Sequence, residues 1–64
     1  MYATIQVGDY NVIEKDGDLI TLAVNGLEKK IIIKTTMLNR NTNVVKFPIN
    51  FNIFTGTFQN LIED

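Results

Sequence analysis

An all-β fold is predicted by three features of this chain. Asn25-Gly26 separates two apolar runs, residues 19–24 and 27–33; residues 2–7 and 45–53 alternate apolar and polar side chains; and four glycines fall singly between such runs. An Asn-Gly pair flanked by β-formers is a strong hairpin signal, because a type I′ turn needs positive φ at both central residues and its twist suits the strands it joins.

Taken in order, residues 2–7 form a first strand, with Ala3, Ile5 and Val7 on one face and Tyr2, Thr4 and Gln6 on the other. Gly8-Asp9 suits a tight turn that pairs Val7 with Tyr10 and Ile5 with Val12 in a second strand over residues 10–14. The next turn sets the register. A loop of Lys15, Asp16 and Gly17, with Gly17 as the left-handed residue of a bulge, places Val12 opposite Ile20 and Tyr10 opposite Leu22. Carried through Asn25-Gly26, that register sets Ile20 against Ile31 and Val24 against Leu27. The predicted inner face is then Ala3, Ile5, Val7, Tyr10, Val12, Ile20, Leu22, Val24, Leu27, Ile31 and Ile33. A one-residue slip would turn the apolar set outward.

Residues 35–43 are rich in Thr and Asn and predict a loop, with one helical turn at residues 36–39. Alternation resumes over residues 45–53, as one long strand or two collinear ones, and Pro48 marks an edge position or a bend because it donates no ladder hydrogen bond. Phe54, Phe58, Leu61 and Ile62 have helical spacing, but Thr55-Gly56-Thr57 suits a turn into a short strand or extended tail better.

One small β domain over residues 1–64 is expected. These pieces make a twisted antiparallel meander, closed as a five- or six-stranded SH3-like or OB-like barrel, or left as an open sheet completed by a second copy. The chain has no Cys and no His, so disulfides, thiolate or imidazole metal sites and the usual nucleophile–base pairs are excluded. Neither a signal peptide nor a membrane helix is legible, and none of the eight asparagines begins an Asn-x-Ser/Thr acceptor, which points to a soluble, cytoplasmic setting without membrane contact. No cofactor is expected, since each glycine fits a turn and none belongs to a phosphate-cradling loop.

Three groups of residues are candidates for function. In the predicted register Ile13, Leu19 and Ile32 lie side by side on the nominally outer face; with Phe54 and Phe58 they form an apolar patch that either packs under the C-terminal segment or binds a protein. Lys29, Lys30, Lys34, Arg40 and Lys46 occupy a segment without an acid, a pattern suited to single-stranded nucleic acid if Tyr2 or Phe54 offers a stacking surface and the Asn-rich loop offers amides to phosphates. The plainer account is a solvated lysine face that discourages edge-to-edge pairing. Glu14, Asp16 and Asp18 cluster at the second turn, with Glu14 opposite Asp18, but they lie at an exposed hairpin tip, without an EF-hand pattern or a cleft to make them catalytic. The sequence therefore predicts a non-enzymatic protein-interaction module that self-associates, of a kind suited to viral or mobile-element accessory factors and inhibitors. A single-stranded nucleic-acid-binding role for residues 29–46 is the alternative.

Overall fold

The computed structural model describes residues 1–59. The fold is all-β, built from antiparallel strands: β1 (Tyr2–Gln6), β2 (Tyr10–Asp16), β3 (Leu19–Val24), β4 (Ile31–Lys34), β5 (Leu38–Asn39), β6 (Val44–Pro48), β7 (Phe51–Asn52) and β8 (Thr57–Phe58), with a 3₁₀ turn at Thr35–Met37 between β4 and β5. They form three sheets, ordered β1-β6-β5, β2-β3-β4 and β7-β8, and no closed barrel is found among the described residues.

Strand β1 departs from the expected meander. It pairs with β6, Tyr2 against Pro48 through Gln6 against Val44, and not with β2. Gly8 does turn the chain, at φ +57°, but the Val7 N–H donates to the Asn43 carbonyl at 2.9 Å. A glycine-based corner between two sheets and a hairpin turn demand the same local conformation, so turn chemistry alone does not separate them.

The bulge lies in the middle of β2. Gly17 and Asp18 form a two-residue loop in which only Gly17 has positive φ, the pattern of a type II′ turn, and Asp16 faces Leu19. The extra residue is Ile13: Tyr10 faces Val24, Val12 faces Leu22, and beyond the bulge Glu14 faces Thr21 and Lys15 faces Ile20. Thus Val12 does not oppose Ile20, Tyr10 does not oppose Leu22, and Glu14 does not oppose Asp18.

The Asn25-Gly26 turn departs from type I′. Gly26 has φ +90° while Asn25 stays negative, and the Leu27 N–H donates to the Val24 carbonyl at 3.0 Å, the arrangement of a type II turn. That type does not match strand twist. The chain opens into a loop as far as Lys30, and the β3–β4 register moves by two residues: Leu22 faces Ile31 and Ile20 faces Ile33. A shift of two preserves side-chain parity, so all four still share the inner face.

Those four side chains are fully buried and make the centre of the core with Val7, Leu38, Val45, Phe51 and Ile53. Ala3, Ile5, Tyr10 and Val24 are half-buried, whereas Val12 and Leu27, expected inside, are exposed. The β1-β6-β5 sheet packs through Ile5, Leu38, Val45 and Phe47. Pro48 ends β6, a central strand, and the chain bends before β7, so the 45–53 stretch is two short strands.

Two hairpins share one loop design. Asn39 pairs with Val44 and Asn52 with Thr57 across four-residue connections. In the first, the Asn43 N–H donates to the Asn39 carbonyl at 2.7 Å; in the second, the Gly56 N–H donates to the Asn52 carbonyl at 2.8 Å. The closing residue is left-handed in each, Asn43 at φ 57° and Gly56 at φ 73°. The opening asparagine caps its own loop: Asn39 Oδ1 accepts from the Asn41 and Thr42 amides, and Asn52 Oδ1 from the Phe54 amide. Asn-x-x-Thr-Asn at 39–43 and Asn-x-x-Thr-Gly at 52–56 are the sequence signals for these hairpins.

Asn43 adds a tie between sheets, its Nδ2 donating to the Gly8 carbonyl at 3.1 Å. Asn43→Ala is expected to cost about 1–2 kcal/mol by combining left-handed strain with loss of that bond, and Asn43→Gly less, because glycine relieves the strain. Urea denaturation of the two variants checks the order; equal losses would show that backbone conformation is not the larger part.

Candidate functional site

The five residues of the predicted apolar patch are dispersed around the outer surface of the β2-β3-β4 sheet and the β7-β8 hairpin. The two-residue shift sets Leu19 opposite Lys34 and Ile32 opposite Thr21, so Leu19 and Ile32 are diagonal neighbours instead of a direct pair. Ile13, at the bulge, is separate from them. Leu19 and Ile32 are half-buried, while Ile13, Phe54 and Phe58 are exposed.

Part of this surface is covered from within the chain. The Ile32 N–H donates to the Ile53 carbonyl at 2.6 Å, and Gly56 lies against the Ile32 side chain. Phe58 meets Phe51 edge to face, with ring centroids 5.0 Å apart. The expected covering role of Leu61 and Ile62 falls outside the described residues. Phe54 belongs elsewhere, to the rim of an apolar hollow of about 540 Å³ that also takes in Ile5, Val24, Leu27 and Ile53.

The more exposed apolar feature is β2 itself. Among the described residues it is an edge strand, bonded only to β3, and every residue from Asn11 to Asp16 is exposed. Val12 opposes the fully buried Leu22, yet is 47% exposed, and Ile13 beside it is 49% exposed. A long edge strand with both faces open offers unpaired backbone groups to another strand. Alternation along one strand carries no signal for the exposure of Val12 at a sheet edge.

The basic residues divide into two groups. Lys29 Nζ lies 5.4 Å from the Phe54 ring centroid and Lys34 Nζ 5.4 Å from that of Phe58, both on the side of the β7-β8 hairpin, while Lys30 is exposed in the β3–β4 loop. Lys46 Nζ lies 5.1 Å from the Tyr2 centroid on the outward face of the β1-β6-β5 sheet, where Arg40 also borders the surface. Such cation–ring contacts contribute about 0.5–1 kcal/mol each at exposed sites. The Asn39–Asn43 loop amides expected to face phosphates are partly committed to Asn39 itself, through the bonds at Asn41, Thr42 and Asn43.

Glu14, Asp16 and Asp18 do not converge: Glu14 faces Thr21, Asp16 faces Leu19 and Asp18 is in the turn. Among the described residues, no three acidic, His or Cys side chains are grouped so as to hold a metal ion. Among them, too, no helix is long and apolar enough to cross a membrane.

No protein-family model, curated protein or solved structure matches this chain.

Proposed function

We propose that the chain is a non-enzymatic protein-interaction module that works by adding strands at the free edge of β2, first with a second copy of itself. The observation that supports this is the seven-residue edge strand whose apolar pair, Val12 and Ile13, is about half exposed among the described residues. Strand addition supplies main-chain hydrogen bonds and buries alternate side chains. The open sheet completed by a partner, the second architecture expected from sequence, is the form this takes, and a cytoplasmic setting belongs to the same reading.

Charge favours one region of the strand. Antiparallel pairing about a two-fold axis at Ile13 sets Asn11 against Lys15 and Tyr10 against Asp16, with no like charges opposed. An axis at Glu14 would bring two carboxylates together. In the pairing about Ile13, Val12 stands against Glu14, so the contact takes in the strand from Tyr10 to Asp16, with Ile13 meeting its own copy at the centre.

Light scattering across a dilution series is expected to give a dimer that dissociates to 7.3 kDa. Ile13→Lys is expected to give the monomer mass throughout with unchanged circular dichroism, since the side chain is exposed. A single monomer mass for the parent chain at its highest soluble concentration would overturn the self-association.

A further inference from the structure

We propose that the outward face of the β1-β6-β5 sheet binds single-stranded nucleic acid, with Tyr2 as the stacking ring and Lys46 and Arg40 as the phosphate contacts. This site lies on a different sheet from β2 and is independent of the self-association above.

Strand alternation builds it. Tyr2, Thr4 and Gln6 of β1 share one face with Lys46 and Pro48 of β6, because directly paired residues lie on the same side of a sheet: Tyr2 faces Pro48 and Thr4 faces Lys46. The opposite face carries Ile5, Val45 and Leu38 into the core. Two surface hollows, of about 620 and 400 Å³, adjoin on the outward side and share Thr36, Met37 and Lys46. Arg40 borders the first and Tyr2 the second, so the two make a shallow track with Lys46 at its centre.

Charge and ring geometry point to the ligand. Among the described residues, no carboxylate borders either hollow. The acids of the described chain, Asp9, Glu14, Asp16, Asp18 and Glu28, lie on β2 or in the connections that flank β2 and β3. Tyr2 is 61% exposed, with Lys46 Nζ 5.1 Å from its ring centroid. An exposed aromatic on a sheet face, flanked by cations and hydroxyls, matches a base and its neighbouring phosphates; an acidic peptide would use the cations and leave the ring idle. From Tyr2 to Gln6 the strand spans about 14 Å, so the contact is shorter than the roughly 4–16 nucleotides that an OB fold covers, and the binding is correspondingly weak and salt-sensitive.

The test is fluorescence anisotropy with a labelled short oligothymidylate over a range of salt concentrations. Two phosphate contacts predict a slope of log K against log salt of about −1.4, and Lys46→Gln is expected to reduce it to about −0.7. Tyr2→Ala is expected to weaken binding about tenfold at unchanged slope, with Tyr2→Phe retaining most of it. Native circular dichroism of each variant guards against misfolding. The proposal is overturned by absence of binding at low salt. It is equally overturned if polyglutamate competes as well as the oligonucleotide and Tyr2→Ala has no effect, or if Lys29→Gln abolishes binding while Lys46→Gln does not.

Discussion

Gly56→Ala is expected to remove most of the stability of the domain. A Cβ at this position would stand 2.5 Å from Cγ2 and 3.1 Å from Cβ of Ile32, on a backbone held at φ 73°. Neither group has room to yield. Ile32 is β-branched and stiff at χ1, and its own N–H is tied to the Ile53 carbonyl at 2.6 Å. Left-handed strain of about 1–2 kcal/mol adds to overpacking of about 1–3 kcal/mol. Set against the roughly 3–5 kcal/mol that a core of this size supplies, the sum leaves little folded protein. Urea denaturation followed by circular dichroism measures it. An unchanged midpoint would show that the β7–β8 loop does not rest on Ile32.

Leu22→Ala is the second large effect. Leu22 is fully buried between Val12 on one neighbouring strand and Ile31 on the other. Truncation removes its transfer free energy and leaves a cavity, about 3–5 kcal/mol together. Val12→Ala, on the facing position of the neighbouring strand, is expected to cost far less than Leu22→Ala, about 0.5 kcal/mol, because about half of the side chain is already exposed. The contrast checks where burial on that face stops. Equal costs, measured under conditions where the protein is monomeric, would mean that β2 is covered after all.

The inner row Ile20, Leu22, Ile31 and Ile33 was legible in the sequence because parity along a strand is a local property, and a register error of two residues leaves it intact. Pairing was less legible. Tyr2–Gln6 lies beside Val44–Pro48 although Tyr10 is much nearer in sequence, and the Gly8 turn has the same appearance whichever partner β1 takes. At Asn25-Gly26 the dipeptide permits two turn types, and the choice rests on whether Asn25 adopts positive φ, which it does not. The turn at Thr55-Gly56-Thr57 into a short strand was legible and is found as β8, whereas the β5–β6 hairpin was hidden because residues 39–43 resemble an unstructured polar stretch.

For the functional residues the division is similar. Exposure of Ile13 agrees with its outward placement in the sequence reading, but adjacency of Ile13, Leu19 and Ile32 depended on the register and fails with it. The separation of Lys46 and Arg40 from Lys29 and Lys34 follows from the course of the chain into a second sheet, and neither spacing nor charge counting reveals it.

Matching Tyr2 with Pro48 and Gln6 with Val44 also orders events during folding, because closing a loop of about 40 residues costs more entropy than closing a tight turn. Strands β2, β3 and β4 can zip locally, while the segment that becomes β1 waits for a mate from the far half of the domain.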